Sequence, residues 1–204
     1  MIRTGFYGGS FNPIHNGHIA LARQFLNDME LDEVWFVVSP QNPFKRNAQD
    51  LMADKARFEI VRAATANEPR FCATDYELHL PTPSYTWQTL QALAHDEPQR
   101  SFVLLIGADN WVSFPKWDHY ENILEQYDIA IFPRRGYDVN PNTLPPNVTL
   151  LNTPLYDISS TDIRHRIAEG LPIDHLVPPA VKQMVMEAYG NDRGMQERRR
   201  AHER

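Results

Sequence analysis

Between the apolar run Ile2–Tyr7 and the amphipathic run Ile19–Met29 stands Gly8-Gly9-Ser10-Phe11-Asn12-Pro13-Ile14-His15-Asn16-Gly17-His18, and no other stretch constrains the chain as much. A strand that ends in a Gly-rich turn and feeds a helix builds an anion site. The backbone N–H groups of the turn and the helix dipole both point at negative charge. Gly8 and Gly9 let the backbone come close to a ligand. His15 and His18 are three residues apart and share one face of a first helical turn, where two imidazoles can donate to phosphate oxygens. A His-x-x-His pair is also half of a zinc site, but Cys72 is the single cysteine and no nearby acid completes a metal set. The string lacks the third glycine of the dinucleotide fingerprint and the Lys-Ser/Thr of a Walker A loop.

Apolar and helical patterns alternate along the rest of the chain. Strands are expected at Ile2–Tyr7, Glu33–Val38, Phe71–Thr74, Phe102–Ile106, Ile129–Phe132 and Val148–Leu151. Helices are expected over Gly17–Met29 and Ala53–Ala66, from Ser84 or Thr86 through Ala94, over Tyr120–Tyr127, from the Ser159-Ser160 pair through Ala168, and from Pro179 to about Tyr189. Gly170 suits a helix stop. Ser39-Pro40 opens a polar loop that runs to Leu51. Strands alternating with helices specify an α/β domain with a parallel sheet and helices on both faces. Ligands of such sheets bind past the C-terminal strand ends, where Gly8, Ser39, Gly107, Asp109, Pro133 and Arg134 fall.

Residues 1–190 are expected to form one domain, with 191–204 a charged, disordered tail. That tail holds five arginines against Asp192, Glu197 and Glu203, a surplus of +2 on a chain of net −6, which leaves −8 on residues 1–190. An acidic domain argues against a general nucleic-acid binder. No apolar run is long enough for a membrane span, and the N-terminus has no basic region followed by an apolar stretch. One cysteine gives no disulfide framework, so a cytoplasmic protein is expected; the sequence leaves the oligomeric state open.

The segment Gly8–His18 resembles the signature of the HxGH nucleotidylyltransferases. A second family string, Ile158-Ser159-Ser160-Thr161-Asp162-Ile163-Arg164, stands near the C-terminus. Within that family Pro83-Ser84-Tyr85-Thr86, Ile106-Gly107-Ala108-Asp109 and Phe114-Pro115-Lys116-Trp117 are similar to the nicotinate mononucleotide adenylyltransferases. The resemblance implies a Rossmann-like nucleotidylyltransferase fold with a small C-terminal helical part. It also implies an enzyme of NAD biosynthesis that joins ATP to nicotinate mononucleotide with Mg²⁺.

On that basis His15, His18 and Arg164 are the catalytic candidates. Gly8, Gly9, Ser10, Phe11, Gly17, Gly107, Asp109, Arg134, Ser159, Ser160 and Thr161 are the ATP-binding candidates, and Lys45, Tyr85, Thr86 and Trp117 the acceptor-binding ones. No protein metal ligand is assigned. The family usually has Asp where Asn12 stands; Asn keeps an oxygen acceptor and loses the charge. Two alternatives stay open: a related adenylyltransferase with another acceptor, such as nicotinamide mononucleotide or phosphopantetheine, and a nucleotide sensor that does not turn over. A class I synthetase fragment is disfavoured, since no Lys-Met-Ser-Lys-Ser-like loop is present.

Overall fold

Short strands apolar on both faces need cover on both faces, and that requirement organises the molecule. The computed structural model describes residues 1–40 and 51–190. Its strands are β1 (Ile2–Gly9), β2 (Glu33–Val38), β3 (Phe71–Thr74), β4 (Arg100–Gly107), β5 (Asp128–Phe132) and β6 (Val148–Leu150). They form a six-stranded sheet in the order β3-β2-β1-β4-β5-β6, parallel throughout. The helices are α1 (Asn16–Asp28), α2 (Asp54–Thr65), α3 (Thr86–Asp96), α4 (Ala108–Ser113), α5 (Tyr120–Gln126), α6 (Ser160–Glu169) and α7 (Lys182–Gly190).

Alternate side chains of the central strands enter separate cores. Tyr7, Val103 and Leu105 pack with Phe25 of α1, Val61 of α2, Ile163 of α6 and Val185 of α7. Phe6, Leu104 and Ile106 pack with Leu90 of α3, Phe114 and Ile123 of α5. The C-terminal helices therefore cover the same face as α1 and α2. Strand order reverses between β1 and β4, the switch point at which such sheets bind ligands.

The element boundaries shift from the sequence expectation for identifiable reasons. β1 runs on through Gly8 and Gly9, because Val37 and Val38 of β2 continue the ladder beside them. The glycines are thus the last rungs of the strand, and the turn proper is Ser10–His15. β4 starts at Arg100 rather than Phe102, since Ile2 and Arg3 pair with Arg100 and Ser101. Gly170 ends α6 in the left-handed conformation, φ 70°, as a C-terminal glycine does. Pro179 lies in a 3₁₀ turn, Pro179–Val181, that leads into α7. Among the described residues no helix is long and apolar enough to cross a membrane.

Candidate active site

The turn after β1 is strained and is braced from beneath. Phe11 takes φ 43°, a left-handed conformation that costs a side-chain-bearing residue of order 1–3 kcal/mol. Its ring is buried against Tyr7 and Phe36, with centroids at 5.4 and 5.7 Å. Under the turn lies Arg57 of α2, with no exposed surface. It donates to the carbonyls of Ser10 (2.5 Å), Pro40 (3.3 Å) and Met52 (2.9 Å) and pairs with Asp54. One planar guanidinium therefore ties together the turn after β1, the end of β2 and the start of α2.

Asn12 is a second tie. Its side-chain oxygen accepts from the Met52 N–H at 3.1 Å and from the Tyr189 hydroxyl at 2.8 Å. Its carbonyl accepts from Arg164 at 2.8 Å.

The histidines act as a unit. His15 is the N-cap of α1 and His18 is three residues on. The His15 N–H donates to His18 Nδ1 at 3.2 Å. The two rings stack, with centroids 3.6 Å apart and planes at 25°. Because Nδ1 accepts, the proton of neutral His18 belongs on Nε2. Phe11 packs edge-on against the same ring at 5.1 Å. Burial, with Arg134 nearby, lowers the His15 pKa to about 3. Burial, then His15 and Arg134, hold His18 well below the usual histidine range. Both imidazoles are therefore neutral donors at pH 7. Gly17 makes room for the pair: a Cβ there would stand 3.0 Å from His15 Nδ1 and 3.1 Å from its Cε1.

The N-terminus of α6 meets this turn. Ser159 caps the helix, its hydroxyl accepting from the Asp162 N–H at 3.0 Å. The Ser160 hydroxyl donates to the Pro13 carbonyl at 2.8 Å. Both hydroxyls expected to hold phosphates thus make bonds within the protein. The first-turn N–H groups of Ser160 and Thr161 remain as the anion-facing donors that helical geometry leaves over.

These elements border a cleft of about 820 Å³. Gly8, Gly9, Ser10, His15 and His18 line it on one side, with Ser159, Ser160, Thr161 and Arg164 beside them. Tyr85, Thr86 and Trp117 line the other end. Tyr85 is the N-cap of α3 and Thr86 its first residue. Trp117 packs on Phe114 at 5.4 Å, and its indole N–H is buried without a protein acceptor. Arg134 also lines the cleft, with its guanidinium over the Phe132 ring.

Four of the expected ATP-binding residues do not border the cleft. Phe11 is a core wedge and Gly17 a spacer for His15. Asp109 lies inside α4 rather than capping it, because the helix starts at Ala108. Its carboxylate reaches back to Arg134, 3.6 Å away, across Gly107, where a Cβ would collide with it. Gly107 and Asp109 therefore lie beside Arg134. Lys45 and the tail 191–204 lie outside the described residues.

The sequence reading also missed residues. Glu77 and Asp118 line the cleft, as do Ser84 and Lys116 of the family-like segments, which were given no role, and Ser39 at its strand end. Arg57 had a signal: it shares the stripe of Ile60 and Val61 on α2, and a charge on an apolar stripe needs buried partners. Glu77 stands in a single 3₁₀ turn, Tyr76–His79, too short for periodicity to mark it.

Residues 6–166 match the cytidylyltransferase-like family. A "Probable nicotinate-nucleotide adenylyltransferase" of Bacteroides fragilis is 45% identical over 91% of this chain and 92% of its own length. One of the same description from Cytophaga hutchinsonii is 43% identical over 91% and 96%. A solved structure, "Plasmodium falciparum nicotinic acid mononucleotide adenylyltransferase complexed with NaAD", shares the fold with a TM-score of 0.76 at 21% identity, over 92% of this chain and 96% of that one. The chain belongs to the cytidylyltransferase-like family and, within it, to the group of the nicotinate-nucleotide adenylyltransferases.

Proposed function

We propose that this protein transfers the adenylyl group of ATP to nicotinate mononucleotide, giving nicotinic acid adenine dinucleotide and pyrophosphate in NAD biosynthesis. The observation that carries this is the convergence of neutral His18, the α6 N-terminus and Arg164 on one wall of a cleft whose far end holds Trp117 and the α3 N-terminus. The names of relatives at 43–45% identity support the choice of acceptor.

The acceptor phosphate oxygen attacks the α-phosphorus in line, and the bond to the bridging oxygen of pyrophosphate breaks. A phosphate oxygen is already nucleophilic, so no side-chain nucleophile and no general base is required. The protein contributes position and donors where charge develops. His18 Nε2–H faces the reacting phosphate, the amides of Ser160 and Thr161 face the β- and γ-phosphates, and Arg164 braces the leaving pyrophosphate. Mg²⁺ enters as part of the substrate, on triphosphate oxygens and water.

With ATP labelled at the α-phosphorus, the label should pass to the dinucleotide only when nicotinate mononucleotide is present, and never to the protein. Label retained covalently on the protein would overturn direct transfer.

A further inference from the structure

Glu77 lines the cleft, yet only 5% of its surface is exposed, and the reaction as derived gives it no task. Its carboxylate is held by a hydroxyl and has two more beside it. Thr89 of α3 donates to Oε1 at 2.8 Å, and the hydroxyls of Ser39 past β2 and Ser84 before α3 favour its charged form. Three donors suit an ionised carboxylate, although burial pushes the pKa up. A buried carboxylate retained on a cleft wall at this cost needs a use.

We infer that Glu77 is the positioning residue of the acceptor half of the cleft, fixing the first turn of α3 against the end of β2. This rests on the acceptor assignment above. The Thr89 hydroxyl has a second option, the Tyr85 carbonyl at 3.3 Å, which also accepts the Thr89 N–H at 3.1 Å. Bonding to Glu77 draws that hydroxyl away from the Tyr85 carbonyl, and Ser84 is held by the same carboxylate. The segment Ser84-Tyr85-Thr86, which lines the cleft, is thus tied to Glu77 at Ser84 and, one turn further on, at Thr89. The ATP side meets this support only through the Ser39 N–H, which donates to the Gly9 carbonyl at 2.9 Å, whereas His15, His18 and the α6 N-terminus hang on Asn12, Pro13 and Arg57. Losing Glu77 should therefore loosen one substrate and spare the other.

Gln at 77 keeps shape and one acceptor but presents an amide NH₂ to hydroxyls that were donating. Steady-state kinetics of Glu77→Gln and Thr89→Val should show the KM for nicotinate mononucleotide raised at least five-fold. The KM for ATP should stay within two-fold and the thermal midpoint should still mark a folded protein. Thr89→Ser, which restores the hydroxyl, should bring the acceptor KM back to within two-fold of the unmodified protein. If both KM values rise together, or the acceptor KM stays put while only stability falls, Glu77 is a packing residue and the inference is wrong. If Glu77→Gln does not fold, the Thr89 pair decides alone by the same criteria. An unmodified protein that does not use nicotinate mononucleotide at all would instead remove the acceptor assignment, and this inference with it.

Discussion

His18 carries the most chemistry of any single side chain, because its surroundings fix both its tautomer and its charge. The His15 N–H takes Nδ1, Phe11 packs against the ring edge, and burial keeps it neutral. His18→Ala should cost about a hundred-fold in turnover, about 3 kcal/mol, as loss of one donor at developing charge does. The KM for ATP should move far less; near-normal turnover would remove the assigned role. Neutral burial also has a pH cost. The unfolded chain takes a proton on His15 near pH 6.5, and the folded chain not until about pH 3. Below pH 6.5 the unfolded state binds more protons, so stability falls as pH falls through that window. Between pH 7 and 5.5 His15 alone should remove about 1 kcal/mol, and urea midpoints of His15→Gln should lose that part of the dependence. Asn12 makes the opposite argument. Its oxygen is already occupied by Met52 and Tyr189, and Asp would offer the same acceptor. Asn12→Asp should leave the Mg²⁺ midpoint of turnover unchanged; a clear shift would show that residue 12 reaches the ion.

At the scale of elements, the site is a meeting of helix N-termini at strand ends. α6 earns its place through its cap, so Ser159→Ala should destabilise the protein by about 1 kcal/mol, read as a drop in the denaturation midpoint. Turnover should fall beyond that, because the amides of Ser160 and Thr161 lose their fixed direction. Full activity in a destabilised variant would show that those amides do not hold the phosphates. Most of these elements were legible in the sequence, since β-branched runs and 3.6-residue stripes report burial directly. Less legible were places where a long-range partner decides. Gly8 and Gly9 read as turn residues until Val37 and Val38 extend the ladder beside them. Asp109 read as an ATP-binding residue past a strand end, whereas its carboxylate reaches back across Gly107 to Arg134. Glu77 and Arg57 owe their roles to residues up to 47 positions away; the apolar stripe marks Arg57 as needing partners, but local patterning does not say which.

For the molecule as a whole, the sheet order places the signature turn and the string Ser159–Arg164 on one wall although they lie far apart in sequence. Bonds from Ser160 and Arg164 to Pro13 and Asn12 join the C-terminal helices to the first strand's turn. An acidic domain of this size holds anionic substrates by local donors, not by its overall field. On the proposed assignment those donors also set the acceptor. The amides at the α3 N-terminus suit a pyridine carboxylate, whereas a carboxamide would turn its NH₂ toward other donors at a cost of about 1–3 kcal/mol. The most direct test is kcat/KM for nicotinate and nicotinamide mononucleotides side by side, followed by ATP-dependent pyrophosphate release. A preference for nicotinate of at least about ten-fold, the lower end of that range, with no release when acceptor is omitted, is the predicted result. Equal use of the two acceptors, or release without either, would contradict the account.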